Sequence, residues 1–220
     1  MCEILKKGRQ IVYLTCTTGI ACTNYPTSIG AETIHRWSGI GDGRLTCNEI
    51  CNFITTESNM KVTYDKIKSA DVLIVDEVSM LSKRLFEILE SICSLKDPSN
   101  LFGGMQVIFC GDFFQLPPVR NILYDDDGSH CFESDLFDVV FSHRVFLKDV
   151  VRQSQDKLIN AITELSGARK QISDDTISLM DQLSRPLTDD GISSIKLFAT
   201  NHMADAYNRD QILKMEGDFI

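Results

Sequence analysis

Asp71-Val-Leu-Ile-Val-Asp-Glu77 is a continuous apolar run closed by two acids. A strand with one face in water alternates apolar and polar residues, whereas a parallel strand covered on both faces is apolar throughout. The run therefore predicts an interior parallel strand that delivers Asp76 and Glu77 to the carboxyl edge of its sheet.

Downstream, Met105-Gln-Val-Ile-Phe-Cys-Gly-Asp112 repeats the theme of an apolar strand ending in an acid. Two strands of one sheet thus bring carboxylates to the edge where open α/β sheets bind their ligands. Between them Leu81, Leu85, Ile88, Leu89 and Ile92 recur at helical spacing, with Ser82 as N-cap and Asp97-Pro98 as a stop. Upstream, Ile11-Val-Tyr-Leu-Thr-Cys16 reads as a strand and Thr17-Thr-Gly-Ile-Ala-Cys22 as its turn into a helix. Residues 41–66 are more polar and read as a small irregular insertion rather than a sheet element. Asn121 to Asp138 holds six acids and no Lys or Arg, which suggests a solvated connection into the helix-like stretch Phe132 to Phe137. Beyond residue 140 the pattern restarts. Arg144 to Lys148 and Ile195 to Ala199 are candidate strands; Leu158, Ile159, Ile162 and Leu165 form one candidate helix face, and Ile177, Met180 and Leu183 another. The expected organisation is α/β: a first domain over 1–140 containing the insertion at 41–66, and the beginning of a second over 141–220.

The 220 residues, with 43% hydrophobic and 24% charged, have an ordinary globular composition. No apolar stretch reaches membrane-spanning length, and Met1 to Gln10 lacks an apolar signal core, so no membrane association is expected and no targeting signal is visible. A net charge of -9 argues against a nucleic-acid-coating surface, because nonspecific affinity comes mainly from neutralising phosphates. A local groove using stacking, backbone amides and a few cations stays compatible with it. The eight cysteines form no C-x-x-C pair, so they read as buried thiols of a reducing compartment; Cys47 and Cys51, one helical turn apart, lack a second pair with which to build a metal site.

Asp76-Glu77 is what an ATPase needs for metal and water, one acid holding Mg²⁺ and the next orienting the attacking water. Alone it is weak, since many strands end in acids merely on entering solvent. Gly111-Asp-Phe-Phe-Gln-Leu-Pro-Pro-Val119 adds a glycine for a sharp turn, an acid and an amide close behind it, and two prolines that fix the chain.

With these residues the chain resembles the Pif-type DNA helicases of superfamily one, which move 5′ to 3′, over nearly its whole length and in the family's order. Thr15-Cys-Thr-Thr-Gly-Ile-Ala21 and Thr33-Ile-His-Arg-Trp-Ser-Gly-Ile40 resemble the strand-contacting motifs; Val75-Asp-Glu-Val-Ser-Met80 resembles the Walker B motif and Gly111 to Val119 motif three. Val150-Val-Arg-Gln153, Leu183 to Asp190 and Leu197 to Asn201 resemble segments of the second motor domain. The resemblance implies an incomplete RecA-like P-loop NTPase motor with the start of a second RecA-like domain, using ATP and Mg²⁺. It implies Asp76 as the magnesium ligand, Glu77 as catalytic base, Gln115 as γ-phosphate sensor and Arg152 as arginine finger. Thr17, Thr18, Gly19, Thr33, His35 and Trp37 would contact DNA. His35 could instead be a structural histidine, its spacing from Thr33 favouring the DNA backbone, and Trp37 either stacks on a base or fills the join between insertion and sheet. The implied partners are single-stranded and forked DNA, the implied state a monomer, and the implied setting DNA repair, recombination and telomere maintenance in nucleus or mitochondrion.

No Gly-x-x-x-x-Gly-Lys-Ser/Thr phosphate loop occurs. The resemblance places that loop before Ile11 and the late motifs after Ile220, so the chain is expected to be a middle fragment, a truncated gene model or a degenerate copy, and not to hydrolyse ATP by itself. Three functions follow: a piece of a working helicase, an inactive DNA- or partner-binding remnant, or a motor from a mobile element's replication protein.

Overall fold

The computed structural model describes residues 8–168, 171–185 and 196–214. Strands β1 (Val12–Cys16), β2 (Glu32–Thr33), β3 (Val72–Asp76) and β4 (Gln106–Phe109) form one parallel sheet in the order β2-β1-β3-β4. β1 and β3 run in register from Val12 opposite Val72 to Cys16 opposite Asp76, and β3 continues the register onto β4 from Val72 opposite Gln106. The expected pair of acid-ending strands is therefore adjacent in one sheet, with Asp76 at its carboxyl edge.

Alternation along the strands gives the sheet two covered faces. Val12, Leu14, Val72 and Ile74 point to a smaller layer completed by Tyr25, Ile29, Ala31 and Ile108. Leu73 and Val75 point to the larger core, where Trp37, Phe86 and Phe102 are almost wholly buried. Each such large apolar side chain contributes roughly 1.5–3 kcal/mol relative to exposure.

Helix α1 (Gly19–Thr23) follows β1, and α2 (Ile34–Ser38) follows β2. Residues 41–66, expected to be irregular, instead contain α3 (Cys47–Thr56) and the start of α4 (Lys61–Ser69). The stretch looks polar because each helix fully buries only a narrow stripe, Ile50 and Ile54 on α3 and Ile67 on α4, flanked by partly buried Cys47, Cys51 and Tyr64. Thr46 and Glu49 close a reciprocal capping box that starts α3. Helix α5 (Lys83–Cys93) begins at Ser82, as the sequence suggests, and buries Phe86, Ile88, Leu89 and Ile92. It ends at Cys93, short of Asp97-Pro98, where Asp97 accepts from Ser99 N and Asn100 Nδ2 in a turn of its own.

After α6 (Asp135–Val140), Arg144 to Lys148 forms no strand: Val145, Phe146 and Leu147 are more than four-fifths exposed. Residues 196–199 form none either, and Ile195 lies outside the described residues. A strand exists only where another backbone satisfies its N–H and C=O groups, and among the described residues none lies alongside these runs. The expected helices are present as α7 (Asp156–Thr163) and α8 (Asp174–Leu183), followed by α9 (Asn201–Lys214). The chain groups into two compact units, Met1–Thr176 and Ile177–Ile220. In the second, Phe198 and Tyr207 pack with ring centroids 5.3 Å apart.

Candidate functional site

The site grows from the end of β3. Asp76 closes the strand in extended backbone, and Glu77 then turns into the left-handed region (φ 57°, ψ 42°) before a short 3-10 turn, Val78–Met80. For a residue other than glycine this conformation costs roughly 1–3 kcal/mol and persists only where the surroundings impose it. Here they do. Thr17 N donates to Asp76 O at 3.1 Å, Thr17 Oγ1 donates to Glu77 O at 2.7 Å, and Val78 N donates to Cys110 O at 3.1 Å. The end of β4 can close on this turn because Gly111 has no side chain: a Cβ there would lie 2.8 Å from Val78 N.

The Asp76 carboxylate is held from a third direction. Tyr25 OH donates to Asp76 Oδ2 at 2.5 Å, and burial together with this bond pushes the Tyr25 phenol above its ordinary range, so it stays protonated. Burial, a bond with Cys22 and the Asp76 and Glu77 charges push the Cys16 thiol up to about 12. Burial and then Asp76 also raise the Cys110 thiol. The thiols around the acids are therefore neutral packing groups. Among the described residues no set of three or more His, Cys, Asp or Glu side chains forms a metal cage.

Glu77 and Gln115 line one open cleft of about 600 Å³, together with Thr18, Ala21, Asn24 and Met80. The structure thus brings together two of the predicted catalytic residues and one predicted strand-contact residue, with Asp76 next to Glu77 in the chain. Arg152 is exposed and is not among the residues lining this cleft.

The remaining predicted DNA contacts have varied placements. Thr17 and His35 share a second cavity of about 220 Å³ with Arg84, Asn121, Tyr124 and Asp126. Burial lowers the His35 pKa below 6.5, which makes it a neutral imidazole at neutral pH. Thr18 caps α1 by accepting from Ala21 N, and Thr33 caps α2 by accepting from Arg36 N. Gly19 is exposed, and a Cβ there would meet no atom within 4 Å, so packing does not demand glycine. Trp37 is a correction. It is 0% exposed, with its ring 5.7 Å from that of Tyr13, so it fills the core and has no face to offer a base.

Two contributors escaped the sequence reading: Tyr25, and the use of the Thr17 backbone and hydroxyl as a clamp on the two acids. The Thr-Thr-Gly turn signalled a residue beside the strand end, but nothing marked a lone loop tyrosine as its neighbour.

A PIF1-like helicase family profile matches residues 1–177. The chain is 30% identical over 213 residues to the ATP-dependent DNA helicase RRM3 of Saccharomyces cerevisiae, covering 96% of the chain and 28% of that protein. It is 33% identical over 221 residues to the ATP-dependent DNA helicase PIF1 of the same species, covering 99% of the chain and 25% of that protein. Among solved structures, the Pif1 helicase from Candida albicans superposes with a TM-score of 0.84 at 30% identity, over 99% of the chain and 48% of its own. A Bacteroides Pif1 bound to ssDNA superposes with a TM-score of 0.76 at 25% identity, over 96% and 49%. The chain spans under a third of these curated relatives and about half of the solved chains.

Proposed function

Because the chain belongs to the PIF1-like helicase family, we propose that it supplies the catalytic-carboxylate half of an ATP-driven motor that moves 5′ to 3′ along DNA and unwinds forked duplexes. The observation that carries this reading is the convergence of Glu77 and Gln115 on one cleft at the carboxyl edge of a parallel sheet, beside Asp76. That is where an α/β sheet binds its ligand.

The residues fit a magnesium nucleotide. Mg²⁺ keeps several waters and takes one or two carboxylates plus phosphate oxygens rather than an all-protein cage. Asp76 offers such a group, since Tyr25 occupies Oδ2 and no other protein donor among the described residues reaches the carboxylate. When bound, the ion neutralises phosphate charge. Glu77, fixed in its left-handed turn, holds a carboxylate over the cleft and accepts the proton of the attacking water. Gln115, in the same lining, donates its side-chain amide N–H to a phosphate oxygen. Residues 141–220 would begin the second motor domain, from which Arg152 would reach the nucleotide. The setting we propose is genome maintenance in nucleus or mitochondrion.

In full-length protein, Glu77→Gln keeps the side-chain shape but cannot take a proton. DNA-stimulated ATP turnover is expected to fall about 10²- to 10⁴-fold while nucleotide affinity stays within a few-fold. Turnover that survives the substitution would sink the assignment.

A further inference from the structure

We infer that Tyr25 is a positioning residue for the nucleotide site: its hydroxyl holds one oxygen of Asp76 and so sets the orientation in which the carboxylate meets the magnesium nucleotide. The inference rests on the reading of Asp76 as the metal ligand.

A carboxylate on the last residue of a strand can turn about both of its side-chain torsions, and among the described residues the Tyr25 hydroxyl is the donor that limits that freedom in Asp76. The Tyr25 hydroxyl reaches Asp76 Oδ2 at 2.5 Å across 51 positions of sequence. A hydroxyl-to-carboxylate bond of this length belongs to the stronger, charge-assisted class. Its donor is itself fixed. The Tyr25 ring packs on the smaller core layer of Val12, Leu14, Val72 and Ile74, and its backbone N–H donates to Cys22 O at 3.3 Å at the end of α1. Two torsions and a packed ring leave the hydroxyl little room to wander.

The placement also ties two parts of the site together. Tyr25 lies just beyond Asn24, the C-cap of α1, the helix that Thr18 caps at its start, while Thr17 just before that cap clamps the backbone of Asp76 and Glu77. The segment 17–25 therefore holds the acids at both ends, by main chain on one side and by side chain on the other. Removing an outer partner of a metal-binding group typically lowers metal affinity about 10- to 100-fold.

The test compares full-length wild-type protein, Tyr25→Phe and Asp76→Asn, reading the Mg²⁺ concentration that gives half-maximal binding of a fluorescent ADP analogue at equilibrium. Phenylalanine keeps the ring in its apolar layer and deletes only the hydroxyl. For Tyr25→Phe the Mg²⁺ midpoint is expected to rise about tenfold or more, with metal-free ADP binding unchanged and kcat largely recovered at saturating Mg²⁺, which also shows an intact fold. Asp76→Asn is expected to shift the midpoint at least as far. If Asp76→Asn shifts and Tyr25→Phe titrates with wild type, the tyrosine is only a packing residue and the inference is overturned while the site reading stands. If Tyr25→Phe weakens ADP binding equally with and without metal, the inference is also overturned. If Asp76→Asn leaves the midpoint in place, Asp76 is not the metal ligand and both fall.

Discussion

At His35, desolvation penalises the imidazolium, so the folded-state pKa lies below the ordinary 6.5. Between those two values the unfolded chain binds the proton and the folded protein does not, so unfolding takes up protons and stability falls as pH drops through 6.5. Below the folded pKa the penalty is complete and this contribution flattens. His35→Gln removes the group, and denaturant unfolding at about pH 8 and pH 5.5 should show a smaller loss on acidification than in wild type; an identical loss would assign the slope to other residues. The same short stretch shows what a sequence can and cannot say about a side chain. Thr33, His35 and Trp37 sit within about a turn of helix, and their spacing was legible, but which face of a five-residue helix points inward depends on what packs on it. Tyr13 and the core claim Trp37, and a cavity takes His35. Glu77 carried no signal of its left-handed backbone, because glutamate is not a residue that such a conformation selects.

Elements were legible where the apolar pattern is strong and local. β3 and α5 stand where their periodicity puts them, since β3 is buried on both faces and α5 along one, and the half-buried β4 is held by its pairing with β3. The helices of 41–66 were hidden by their short buried stripes, and the strands expected at 144–148 and, within the described residues, at 196–199 do not form because an apolar run specifies a strand only when a partner backbone adjoins it. Helix α5 shows how a start signal acquires further work in three dimensions. Ser82 Oγ accepts from Leu85 N at 3.2 Å as the N-cap and donates to the buried Asp126 at 2.6 Å. Losing the cap costs about 1 kcal/mol, and leaving a buried acceptor short of a partner costs about 1–3 kcal/mol more. Ser82→Ala should therefore lower the unfolding free energy by about 2–4 kcal/mol in denaturant melts. A loss near 1 kcal/mol would show that Asp126 is satisfied without the serine.

On the scale of the whole molecule, the charge of -9 and the composition of the cavities set how the proposed motor would work. The linings that contain Thr17, Thr18 and His35 carry Glu77, Asp42 and Asp126 as acids and Arg84 as a cation. A polyphosphate in the first cleft meets Glu77 and, among the described residues of its lining, no cation, so positive charge has to come from metal and from residues outside the lining. Arg152 is an exposed candidate, on a stretch of chain that forms no regular element. If it enters the nucleotide site only as the motor closes, its charge acts on the transition state and little on the ground state, which is the signature of an interaction that raises kcat. Arg152→Ala in full-length protein should lower kcat about 10³- to 10⁵-fold while leaving the dissociation constant of a nonhydrolysable ATP analogue within a few-fold. Arg152→Lys should recover only part, because lysine keeps the charge and loses the planar fork that grips phosphate oxygens. An alanine variant with wild-type kcat would place Arg152 on the surface for good and require another cation to close the site.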